Sequence, residues 1–137
     1  YCFAVTMAAQ PLAWFEASGL PQEAFALAPT LRRYRDCQAD LHAGTILPIG
    51  EEPSGISWTG FQSIHEGRGY LLAYRERNER PRATLRLWGL DGRRLRLRLV
   101  AGHGADGVAD VSAAGEIGIE LPAPFSWCLY AYEAQLP

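Results

Sequence analysis

The sequence predicts a mainly β protein: an antiparallel β-sandwich of about seven or eight strands, preceded by an α-helical segment. Three observations predict it. After Gly44 the spacing of apolar residues changes from three or four to two. Leu95, Leu97 and Leu99 alternate with Arg94, Arg96 and Arg98, the pattern of a strand with one face in a core and the other in water. Short apolar stretches then recur between Gly- and Pro-rich clusters, the rhythm of a sandwich or barrel. Residues 1–43 therefore read as the helical segment and 44–137 as the sandwich.

The elements follow in order. Tyr1 to Ala9 is apolar throughout, and its periodicity fits a strand or a helix equally. Pro11 suits a first helical position, so Pro11 to Ser18 reads as a short helix closed by Gly19. Pro21 opens a second helical piece, QEAFALA. Thr30 is a suitable N-cap for a helix reaching about His42, with Leu31, Tyr34, Cys37 or Gln38, and Leu41 on one face. Gly44 ends it.

Thr45–Ile49 is then a short extended piece, and Glu51–Gly55 a turn around Pro53. Ile56–Ile64 and Tyr70–Glu76 read as strands joined through Glu66-Gly67-Arg68-Gly69. Ala83, Leu85 and Leu87 alternate with Thr84, Arg86 and Trp88, and Gly89-Leu90-Asp91-Gly92 signals a hairpin into the Leu95–Leu99 strand. A Gly-rich loop with a strand near Val108–Val111 follows. Ile117, Ile119 and Leu121 form another strand, and Phe125–Glu133 the last.

Composition narrows the function. A net charge of -2 gives no bulk attraction to nucleic acid or to an anionic membrane. No apolar run reaches the ~18 residues of a membrane span. All 13 basic residues are arginine, which reads as coding bias and predicts ion pairs on the outer face. Cys2, Cys37 and Cys128 form no metal spacing and no CxxC, and read as small buried hydrophobes, with a cytoplasmic location favoured. No cofactor motif is present. The chain opens at Tyr1 within an apolar run, without an initiator methionine, so a piece of a longer protein is expected.

No constellation reads as catalytic. His42, His65 and His103 are too scattered for a metal site. Glu51 and Glu52 are adjacent, so on an extended chain they diverge and cannot oppose each other across a glycosidic bond. Ser54 and Ser57 lack a nucleophile-elbow setting. GHGADG, 102–107, has neither the lysine nor the following helix of a phosphate loop. Arg86, Arg94, Arg96 and Arg98 read as a solvated basic stripe or a protected edge. The strand aromatics are core or interdomain packing, or a sugar-binding face; for the latter the candidates are Trp58 and Trp88, with Trp88 on the arginine side of its strand.

The order of segments resembles the end of the α-galactosidase (melibiase-like) glycoside hydrolases. FAVTMAAQPLAWFEASGLP is similar to their last barrel unit, where the final strand gives way to a P-L-x-W helix. LRRYRDCQADLHAG resembles the helix that follows. GTILPIGEEPSGISWTGFQSI, GYLLAYRERN and ATLRLWGLDG are similar to the opening of their C-terminal sandwich. The resemblance implies that residues 1–43 are a remnant of the (β/α)8 barrel and 44–137 an accessory domain packed on it. The family's catalytic aspartates belong to earlier barrel strands, so no catalytic residue is carried over. Without the barrel, Phe3, Met7, Trp14 and Phe15 are expected to be exposed or to mediate self-association.

Overall fold

A computed structural model describes residues 1–11 and 19–135. Eight strands form two antiparallel sheets: β1 (Thr45–Gly50), β2 (Trp58–His65), β3 (Arg68–Arg75), β4 (Arg82–Arg86), β5 (Arg94–Gly102), β6 (Gly107–Asp110), β7 (Glu116–Glu120) and β8 (Ser126–Ala134). Six lie in one sheet in the order β1-β2-β3-β8-β5-β6, and β4 pairs with β7 in a two-stranded ribbon. Before them come α1 (Cys2–Thr6), a 3-10 turn over Met7–Ala9, a second over Gln22–Leu27, and α2 (Ala28–Ala43). The predicted Pro11–Ser18 helix lies, but for Pro11, outside the described residues, as do Trp14 and Phe15.

The six-stranded sheet is the middle of three layers. Its central strands β3 and β8 are buried on both faces, which explains their almost unbroken apolar runs, YLLAY and WCLYAY. Leu71 and Ala73 point into one core, shared with Leu85, Leu87, Ile117 and Ile119 at the ribbon. Tyr70, Leu72 and Tyr74 point into a second, shared with Ala4, Met7, Tyr34, Cys37 and Leu41 of the helices. β5 presents Leu95 and Leu97 to the first core, then shifts register between Leu99 and Ala101 and gives Val100 and Ala101 to the second.

Of the two alternatives open for the first nine residues, Cys2–Ala9 takes the helical one, with Tyr1 as its N-cap. Several expectations change. α2 begins at Ala28, with Pro29 in its first turn, because the Gln22–Leu27 turn feeds directly into it; Thr30 is therefore a helical residue and not a cap. Tyr34, Cys37 and Leu41 form its buried face, but Leu31 is exposed. The β2–β3 turn is only Glu66-Gly67, with φ of 51° and 79°, a pair of left-handed residues matching the twist of a two-residue hairpin. Gly89–Gly92 does not close a hairpin: β4 and β5 belong to different sheets, and the connection crosses between layers with Leu87 and Leu90 both buried.

Phe3 and Met7 are corrected most. Met7 is fully buried, and the Phe3 ring is half-buried with its edge on Tyr34, centroids 5.6 Å apart. The sheet face carrying Tyr70, Tyr74 and Trp127 needs a cover, and the first nine residues help supply it. Of the three cysteines, Cys37 and Cys128 are buried, but Cys2 is exposed.

Candidate functional site

The two tryptophan candidates part company. Trp58 opens β2 facing the first core, is 1% exposed, and its indole N–H donates to the Arg80 carbonyl at 3.1 Å. It offers no face to a ligand and is not an exposed platform. Trp88 follows β4, just past the strand end, and is 52% exposed.

Trp88 is held firmly. Its backbone N–H donates to Gln62 Oε1 at 2.7 Å, and its carbonyl accepts from Gln62 Nε2 at 3.1 Å. Its indole N–H donates to the Pro48 carbonyl on β1 at 2.9 Å. Gln62 is wholly buried in β2 and also donates to the Tyr132 hydroxyl, which donates in turn to the Ser63 carbonyl. Burial pushes the Tyr132 phenol up, with the Gln62 bond acting in the opposite sense. A buried amide therefore fixes an exposed indole. Nothing in the sequence singles out Gln62, since a glutamine on a strand ordinarily reads as solvent-facing.

The end of the sandwich holding 51–57 and 76–81 is densely braced. Arg75 is 4% exposed and has carbonyl partners only, donating to Asn78, Glu79 and Leu121 at 2.7, 3.0 and 2.8 Å. Glu76 Oε2 accepts from the backbone N–H groups of Ser54 and Ser57, and Glu51 Oε2 from that of Trp58. The Ser57 hydroxyl donates to the Glu52 carbonyl. These carboxylates and hydroxyls hold loops together, and none faces a partner suited to acid, base or nucleophile work.

The arginines do not form one stripe. Arg86 lies on the ribbon, whereas Arg94, Arg96 and Arg98 lie on the helix side of the six-stranded sheet, because β4 and β5 separate. Arg94 pairs with Asp110 at 3.6 Å and Arg96 with Glu133 at 3.8 Å, both exposed. His42 Nε2 lies 3.1 Å from the Met7 carbonyl and 3.2 Å from the Tyr34 hydroxyl, tying the end of α2 to the N-terminal turn. Among the described residues no three His, Cys, Asp or Glu side chains gather as metal ligands, and no helix is long and apolar enough to cross a membrane.

Fold and surface together define a mainly β protein of antiparallel sheets with a helical layer at its N-terminal end. No family model matches the chain, and no curated protein or solved structure matches it.

Proposed function

We propose that this chain is a non-catalytic accessory region of a glycoside hydrolase resembling the α-galactosidases, packing on the catalytic barrel and stabilising it. The observation that carries the reading is the helical layer. It closes one sheet face, yet leaves Phe25, Leu27 and Leu31 exposed at 57, 43 and 38%. Large apolar residues left out of both cores within seven positions suit contact with a neighbouring domain. The docking surface is thus Phe25, Leu27 and Leu31, in place of the Phe3 and Met7 expected from sequence.

The reading frame upstream of the Tyr1 codon tests this. A continuous frame encoding βα repeats with aspartates at strand ends is expected. A stop codon directly upstream would overturn the reading. In the full-length enzyme, Phe25→Glu should lower the melting temperature of the barrel, while the isolated chain keeps its own.

A second reading, a carbohydrate-binding module, is favoured by one observation: Trp88 is both exposed and fixed. Its test is tryptophan fluorescence titrated with neutral oligosaccharides. A saturable response lost in Trp88→Ala supports it.

A further inference from the structure

An open groove of about 860 Å³, not lined by Trp88, lies between the ribbon and the loops at the end of β1 and β3. Its floor follows from strand register. Arg82 faces Glu120, Thr84 faces Gly118, and Arg86 faces Glu116. Arg82 Nε and Glu120 Oε2 are 2.8 Å apart, and both side chains are exposed. The middle of the floor is low, because Gly118 has no side chain and a Cβ there would meet nothing within 4 Å. Across the groove stand Glu51 and Arg80, 3.8 Å apart and likewise exposed.

We infer that this groove is a binding site for a neutral, polyhydroxylated ligand, a short oligosaccharide. Three arginines and three glutamates line it, so their formal charges cancel. That leaves little net attraction for phosphate, nucleic acid or a cation. What remains is alternating donors and acceptors beside the Thr84 hydroxyl, and paired guanidinium and carboxylate groups match neighbouring sugar hydroxyls. Exposed ion pairs hold together by only about 0–1 kcal/mol, so exchanging them for ligand hydroxyls costs little. With no exposed aromatic ring in the groove, binding is expected to be weak, with Kd near ~1 mM.

The test is amide NMR titration of the full 137-residue chain. The probes are maltotriose, cellotriose and raffinose, with trigalacturonate as the charged comparison. Saturable shifts at Thr84, Gly118 and Arg86 are expected. Gly118→Tyr fills the saddle in open space at a position without a left-handed φ, so the fold should survive and the unchanged remainder of the spectrum should show it. Affinity should fall at least ~10-fold in that variant and several-fold in Arg86→Ala.

The site is overturned by an absence of saturable shifts to ~20 mM with all three neutral probes. It is also overturned by shifts that centre on Trp88 and survive Gly118→Tyr. Equal or tighter binding of trigalacturonate would overturn the neutral class. The titration uses the isolated chain, so its outcome is independent of any docking on a barrel.

Discussion

β3 has two neighbours that show how differently the faces of the central sheet are closed. Leu71 faces the ribbon, where the core is mainly aliphatic: Leu85, Leu87, Leu95, Ile117 and Leu121. Leu72 faces the helices, where Tyr34, Tyr70, Tyr74 and Trp127 dominate. The aromatic face is also stitched by hydroxyls. Tyr74 donates to the Ala4 carbonyl at 2.8 Å, Tyr34 to Met7 at 2.9 Å, Tyr70 to Asp40 at 3.0 Å, and Ser63 to Leu41 at 2.6 Å. The ribbon side is held by non-directional burial along its middle, with directional bonds at its ends, where Gln62 and Pro48 hold Trp88 and Arg75 holds the Leu121 carbonyl. The helical layer adds directional bonds that set where each helix sits.

The sharpest test substitutes the two leucines in turn. Leu71→Ala and Leu72→Ala should each cost about 2–5 kcal/mol, with Leu71→Ala the larger because two β layers confine the cavity. Guanidinium denaturation measures both. Hydrogen exchange should show Leu72→Ala loosening α1 and α2 first, with β8 still protected. Simultaneous loss of helices and strands in both variants would make the two faces one cooperative unit and break the distinction.

Arg75 comes next. It ends β3 and belongs to neither apolar core, yet its guanidinium holds three carbonyls at the end of the sandwich. Arg75→Met should cost about 2–3 kcal/mol, since the Leu121 carbonyl is left without its donor while the two loop carbonyls can turn toward water. Limited proteolysis should cut first within 76–81. An unchanged urea midpoint would show that the loops hold without it.

The difference between the faces also sets what could be read in advance. The ribbon side was legible, because alternation at Leu95–Leu99 and at Ile117–Leu121 names the inward residues directly. The pairing was not: alternation says which way a strand faces, not whether β4 pairs with β5 or with β7. The helical side was half-legible. Tyr34, Cys37 and Leu41 follow the helical period, but the burial of Met7 depends on a sheet face far away in sequence. At the surface, the exposure of Trp88 followed from its place opposite leucines. The burial of Trp58, Gln62 and Arg75 did not, since each depends on partners in other elements: Arg80 for Trp58, Trp88 and Tyr132 for Gln62, Leu121 for Arg75.

If hydroxyls position the helices, removing one should be felt locally. Tyr74→Phe keeps the ring and deletes only the bond to Ala4, for a cost of about 1 kcal/mol. Exchange of the amides in α1 should speed up while β4 and β7 remain as slow as before. A uniform increase across both layers would show that Tyr74 acts as packing alone.

The smallest effect at neutral pH concerns the two buried thiols, one tied to each face. Cys37 packs against the helical side of the sheet and Cys128 in the ribbon core. Burial pushes Cys37 up to about 11 and Cys128 to about 12, above the ordinary 9.0. Each therefore binds its proton more tightly in the folded chain than in the unfolded one. Their stabilisation is complete below the ordinary thiol value and is lost as pH rises through the folded values. Stability should begin to fall between pH ~9 and ~10, before unfolded tyrosines titrate strongly. A Cys37→Ala/Cys128→Ala double variant should flatten that first stretch. Thiol labelling of the native chain should modify Cys2 alone, with the other two reacting only on opening. The order of their reaction as denaturant rises then reports which face opens first: Cys37 ahead of Cys128 if the helical layer is the weaker closure, and both together if the faces are one unit.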